Sequence, residues 1–132
     1  MAGKRKYIIT SIFALIIIAA ATAALLFNIR DTQEGVKNFR VEIISERDGY
    51  HETTAEKSAL LFLGEYLRTL DYCQYQESDF GIFVEGFHGM EQDFGEGWWW
   101  EVAVNGEGAM VGVDEIPIID NDTYTFTLRQ GW

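Results

Sequence analysis

The side chains best suited to holding a ligand are aromatic. Trp98, Trp99 and Trp100 stand side by side, Phe87 precedes them, and Asn105-Gly106-Glu107 follows. Aromatic rings supply large apolar contact, and an Asn-Gly turn offers backbone N–H groups. This set suits capture of a flat organic molecule, a glycan or a peptide rather than bond-breaking chemistry. Adjacent residues of a strand point to opposite faces. If Trp100 packs in the core, Trp98 points inward with it and Trp99 faces solvent, forming a stacking platform beside Phe87 or Phe94. The plainer reading, two core Trp and one surface Trp, stays open. The candidate ligand contacts are Phe87, Trp98, Trp99, Asn105, Gly106 and Glu107.

Other reactive types lack the spacing that their chemistry needs. His88, Glu91 and Asp93 share one loop, but zinc asks for three or four convergent ligands, so a solvated turn is the simpler reading. Asp114, Glu115, Asp120 and Asp122 would suit Ca²⁺, yet the twelve-residue loop closing on Glu is missing. Cys73 is the single cysteine, which excludes an intramolecular disulfide and a multi-thiolate zinc site and reads as a half-buried spare thiol. His51 and His88 are the only imidazoles, and no Gly-x-Ser-x-Gly, HExxH or phosphate-cradling glycine loop occurs. The expectation is a protein without catalysis, metal or cofactor.

The chain of 132 residues carries a formal charge of −11, which argues against nucleic acid as a partner. The charge is unevenly distributed. All 21 acids lie beyond Arg30, and from Asp31 onward only six basic residues oppose them, a formal charge of −15. Tyr7 to Phe27 carries no charge and follows Lys4-Arg5-Lys6. As a helix these 21 residues span about 31 Å, enough for a hydrocarbon core of roughly 30 Å. Residues 1–30 therefore read as a basic cytoplasmic tip and a transmembrane signal-anchor, with the remainder outside the cell membrane. A cleaved signal peptide, cut near Ala21-Thr22-Ala23, would make the protein secreted instead. Residues 31–38 (DTQEGVKN) read as a polar linker, and 39–132 as the extracytoplasmic domain.

Several elements must position the candidate residues. Phe39, Val41 and Ile43 alternate with polar neighbours and predict a strand; Asp48-Gly49 predicts a tight hairpin, with Tyr50 to Thr54 returning. Thr53-Thr54-Ala55-Glu56 fits a capping box and predicts a helix from about Ala55 to Leu70, its stripe formed by Leu60, Leu63, Leu67 and Leu70. Gly64 inside that helix marks a place where a strand can approach closely. Strands are predicted over Phe80 to Phe87, Trp98 to Val104 and Thr123 to Leu128, with a short irregular segment at Ile116 to Ile119. The order predicts an α+β fold: a β-grasp-like mixed sheet packed on one helix, preceded by one N-terminal transmembrane helix.

The stretch from Phe80 to Leu128 resembles the transcobalamin-like C-terminal domain family. The resemblance rests on Gly86-Phe87-His88-Gly89, an acidic turn, Gly97 and the Trp run, then Trp100 five residues before Asn105-Gly106, Gly112 between two valines, and Asp120-Asn121-Asp122. Asn121 stands where the family usually has Gly; Asn tolerates left-handed backbone, so the turn survives. The lipidation Cys of many bacterial members is absent. In cobalamin carriers this domain closes over the ligand as one half of a clamp, so the resemblance implies a binding role outside the membrane. Cobalamin itself does not follow, because the carriers' helical partner domain is absent from this chain.

The reading is a membrane-anchored domain that captures a small organic ligand, with a corrinoid as one candidate, and passes it to a membrane transporter or surface protein. The alternative is a non-catalytic protein–protein interaction or surface scaffold module.

Overall fold

A computed structural model describes residues 32–131. The apolar segment read as an anchor lies outside the described residues, and no described helix is long and apolar enough to cross a membrane. The described part contains mixed sheets and one helix, and is mostly strand. In chain order the elements are β1 (Lys37–Ser45), β2 (Tyr50–Ser58), α1 (Leu63–Arg68), β3 (Cys73–Ser78), β4 (Gly81–Phe87), β5 (Met90–Glu91), β6 (Trp98–Val104), β7 (Glu107–Gly108) and β8 (Thr123–Gln130).

Five strands form one sheet in the order β2-β1-β8-β6-β7, and β3-β4-β5 form a second. The central pair, β1 and β8, is parallel, whereas β1–β2 and β6–β8 are antiparallel. Phe39, Val41 and Ile43 of β1 lie on one face with Tyr124, Phe126 and Leu128 of β8, and all six are buried. Beneath them sit Leu63, Tyr66 and Leu67 of α1, Phe87 of β4 and the segment Val113–Ile118. Tyr124 locks that segment. Its hydroxyl donates to Pro117 O (2.7 Å) and accepts from Ile119 N (2.9 Å), satisfying the polar end of a fully buried ring.

Two expected boundaries move. The helix was expected from Ala55, but Ala55–Ser58 continues β2, which pairs with β1 through nine residues in register from Tyr50↔Ser45 to Ser58↔Lys37. Thr53 and Glu56 then point to opposite faces of a strand and cannot form a capping box. Of the expected leucine stripe only Leu63 and Leu67 lie in the helix, which is six residues long and starts where Leu63 N donates to Ile116 O at 2.8 Å; Leu60 and Leu70 fall outside it. A backbone carbonyl from a distant segment thus serves the helix end in place of the Thr53 side chain. The second change is at the expected linker, since β1 already begins at Lys37. That side chain is buried, with Nζ donating to Gln33 O (2.6 Å) and Leu60 O (2.7 Å).

The expectation of one sheet is also too simple. Cys73–Ser78, a polar stretch with no strand pattern, pairs with β4 across a register shift at Gln74/Tyr75 and builds the second sheet. Gly64 does admit a close neighbour, though not a strand. A Cβ there would collide with the Asp114 carboxylate and reach within 3.0 Å of Asp114 Cα.

Candidate functional site

The sequence-derived site residues do not meet. Trp98 and Trp99 open β6 and Asn105-Gly106-Glu107 follows its far end. Trp100–Val104 lie between Trp99 and Asn105, which puts these groups about 20 Å apart along the strand. One small ligand cannot touch both.

Phe87 has no exposed surface, packing edge-on to Trp100 (centroids 5.1 Å) and against Phe126 (4.8 Å). It is a core residue, which corrects its expected place in a surface platform. Trp100 is buried too, and its indole N–H donates to Met90 O at 3.1 Å. Trp98 is half-buried, with the Arg47 guanidinium 5.9 Å from its ring centroid. Trp99 is on the opposite face, as its place in the strand requires, but it is not freely exposed. Its indole lies so close to Gly131 that a Cβ there would strike the ring nitrogen. Gly131, the residue after β8, lies against the ring that alternation alone would leave in water.

Asn105 is committed to the fold. It adopts a left-handed conformation (φ 51°), donates from Nδ2 to Asp122 Oδ1 (2.9 Å) and accepts from Thr123 N at Oδ1 (2.9 Å). Gly106 and Glu107 are exposed beside it. Asn121 has φ 69°, so Asn does fill the left-handed position of the Asp120–Asp122 turn. Asn105→Ala removes both side-chain bonds and strains the turn, and should cost about 1–2 kcal/mol. Asn105→Gly loses the same bonds without the backbone strain. A smaller drop in denaturant midpoint for Gly than for Ala would separate the two contributions.

The polar candidates are equally committed. His88 stacks on Tyr72 (centroids 4.3 Å, 6° between planes), and its Nε2 is 2.9 Å from Glu52 Oε2. Asp93 accepts from Glu96 N. Asp114 pairs with Arg68, Asp120 accepts from Asn38 N, and Asp122 binds Asn105. Among the described residues, no three His, Cys, Asp or Glu side chains are grouped to hold a metal ion. Burial pushes the Cys73 thiol up to about 12, far from a reactive thiolate at neutral pH.

The aromatic surface that does exist is elsewhere. Phe83 of β4 and Phe94, in the one-turn 3-10 helix Phe94–Glu96, form a tilted pair with centroids 6.3 Å apart. They are 50% and 47% exposed, so half of each ring faces water. Phe80, at the tip of the β3–β4 hairpin, is more exposed still. Covering the exposed surface of one such ring would contribute on the order of 2 kcal/mol. A signal for Phe83 was present: alternation in β4 places it on the face opposite the buried Ile82. Nothing local indicated that Phe94 would join it, because the 3-10 turn is defined by the Asp93 cap and the pairing of Asp93 with Trp98.

The fold has relatives. A protein from Ruminococcus gnavus ATCC 29149, solved at 1.30 Å and described as a "putative metal binding protein", is similar at a TM-score of 0.67 and 23% identity, over 73% of this chain and 99% of that one. Haptocorrin in complex with Cbi is similar at a TM-score of 0.61 and 11% identity, over 78% of this chain but only 27% of haptocorrin. No curated protein matches. The expected transcobalamin-like resemblance therefore holds for the fold. Residues 62–130 match the domain of unknown function DUF4430, more than half of the sequence, and the chain belongs to that family.

Proposed function

We propose that this is a non-catalytic binding domain that captures a small organic ligand outside the cell membrane, held there by the apolar segment between Tyr7 and Phe27. The observation that carries the reading is the Phe83–Phe94 pair, an exposed apolar surface on an acidic domain. Exposed aromatic pairs of this kind favour contact with a flat or apolar partner. The likeness to haptocorrin supports a corrinoid as the first compound to test, with a membrane transporter as the recipient. Parallel pairing of the first and last long strands supports a β-grasp-like arrangement.

Calorimetric titration of the full chain in detergent micelles with cobalamin, alongside a panel of glycans and peptides, tests this. Saturable binding of one compound should fall at least ten-fold in a Phe83→Ala/Phe94→Ala variant. The midpoint of thermal unfolding should barely move, because half-exposed side chains add little to stability. Undiminished affinity in that variant would remove the aromatic pair from the site, and a flat response across the panel would count against capture of those ligands.

The second reading, a protein-interaction module, draws on β2. This nine-residue strand is at the edge of the larger sheet, and no described strand pairs with its outer side. Such an edge can accept an extended segment of a partner. Slowed hydrogen exchange along β2 in the presence of a co-purified membrane protein would favour this reading.

A further inference from the structure

The six basic residues of the domain are not equivalent. Lys37 is buried against backbone carbonyls, Arg47 pairs with Asp48, Arg68 with Asp114 and Glu77, and Arg129 with Glu101. Arg40 and Lys57 make no ion pair among the described residues. In a domain with so many acids, two unpaired cations stand out.

They are also neighbours. Arg40 is opposite Ala55 in the β1–β2 ladder and Lys57 opposite Asn38, so the two side chains share the outer face of the sheet on a diagonal. Diagonal residues are about 7 Å apart, close enough for both heads to reach one anionic group. Both line a cavity of about 480 Å³, together with Asn38, Asn121, Asp122 and Thr123. That volume suits a small-molecule ligand.

The acids that could neutralise them are held by other groups. Glu42, on the same face as Arg40, is 2.7 Å from His51 Nε2 and accepts from the Thr125 hydroxyl at 3.0 Å. Asp120 accepts from Asn38 N and from Asn121 Nδ2. Asp122 is buried and accepts from Asn105. Glu56 lines the same cavity but belongs to the other face of β2, since its position in the strand alternates with Lys57. Glu42, Asp120 and Asp122 are thus directed by these hydrogen bonds toward other groups, and neither cation has a carboxylate within ion-pair distance among the described residues.

We propose that Arg40 and Lys57 form a binding site for the oxyanion of a small ligand, either phosphate or carboxylate, seated in this cavity with Asn38 and Thr123 at its wall. An Arg fork and a Lys ammonium are complementary to such a group. The site is built on elements other than the Phe83–Phe94 pair, so either can stand without the other.

The test is backbone-amide shift mapping on the ¹⁵N-labelled full chain in detergent micelles, titrated with inorganic phosphate and separately with acetate. Ionic strength is held constant with potassium chloride. Saturable shifts centred on residues 38–40, 55–57 and 121–123 are expected with one or both anions, and which anion produces them identifies the group recognised. In Arg40→Gln/Lys57→Gln the apparent affinity should fall at least ten-fold, while Arg47→Gln, a cation already paired, should leave it unchanged. No saturable shift with either anion, equal shifts with chloride alone, or unchanged affinity in the double variant would overturn the assignment.

Discussion

Replacing Phe87 with Ala is expected to destabilise the domain by about 3–5 kcal/mol, the largest effect of any single substitution considered for this chain. The ring has no exposed surface and touches Trp100 and Phe126, which come from two different strands of the larger sheet. Phe87 itself belongs to the second sheet, so its removal opens a void where the two sheets join. Neighbouring rings are pinned, Trp100 by its bond to Met90 O, and cannot collapse to fill that void. Total stability of a domain this size is about 5–15 kcal/mol, so the loss is a large fraction of the whole. Urea titration should show a much lower midpoint for Phe87→Ala than for Phe87→Leu, which retains most of the volume. A Phe87→Ala variant as stable as the parent would show that the ring is not in the core.

The second large effect centres on Asp114. Its carboxylate accepts from Arg68 Nη1 (2.7 Å), Arg68 Nη2 (3.0 Å) and Ile82 N (2.8 Å), which ties α1 to β4 through the 3-10 turn Val113–Glu115. Gly64 leaves the space into which that carboxylate fits. Asp114→Ala should cost about 3 kcal/mol, since it frees a two-pronged charged bond and strands the Ile82 N–H. The hydrogen bonds from Arg68 hold the Asp114 carboxyl below the usual carboxylate range; burial opposes this, and the Ile82 N–H and the Arg68 charge add to it.

A depressed folded-state pKa fixes the direction of the pH dependence. The unfolded chain binds the proton first, near pH 4, so the stabilisation is complete above that value and disappears as the pH falls through the lower folded-state value. Denaturant midpoints of the parent and of Asp114→Asn should therefore differ most at neutral pH and converge in acid. A constant gap down to pH 3 would show that the ionised carboxylate is not what stabilises this junction.

Much of the fold was legible because it follows from short-range rules. Trp98 to Val104 is β6 as read, Phe39, Val41 and Ile43 face the core, and Tyr124, Phe126 and Leu128 share a buried face. Asn105 and Gly106 both take positive φ in a tight turn, and Asn121 is left-handed as expected; the first hairpin instead closes through four residues between Ser45 and Tyr50, of which only Gly49 has positive φ. The candidate site was far less legible. Alternation sets which way Trp99 points, but it carries no information on whether Gly131, just past β8, lies against the ring. Phe87 was singled out for its aromatic type, and the same property made it a core residue once the second sheet closed on Trp100.

What the sequence alone determined is local: alternation in β1, β6 and β8, the glycine and asparagine turns, the acidic charge beyond Arg30, and the family resemblance across Phe80 to Leu128. What only the tertiary structure decided is which partners compete for each segment. Ala55–Ser58 satisfies its backbone against β1 rather than in a helix, and Cys73–Ser78 becomes a strand because β4 is beside it. Glu42, Asp120 and Asp122 take hydrogen bonds from His51, Asn38 and Asn105, partners that only the fold brings near them. Periodicity reports the shape that a segment prefers by itself. Burial, hydrogen-bond satisfaction and charge pairing are settled among segments distant in sequence, and only the assembled fold brings those together.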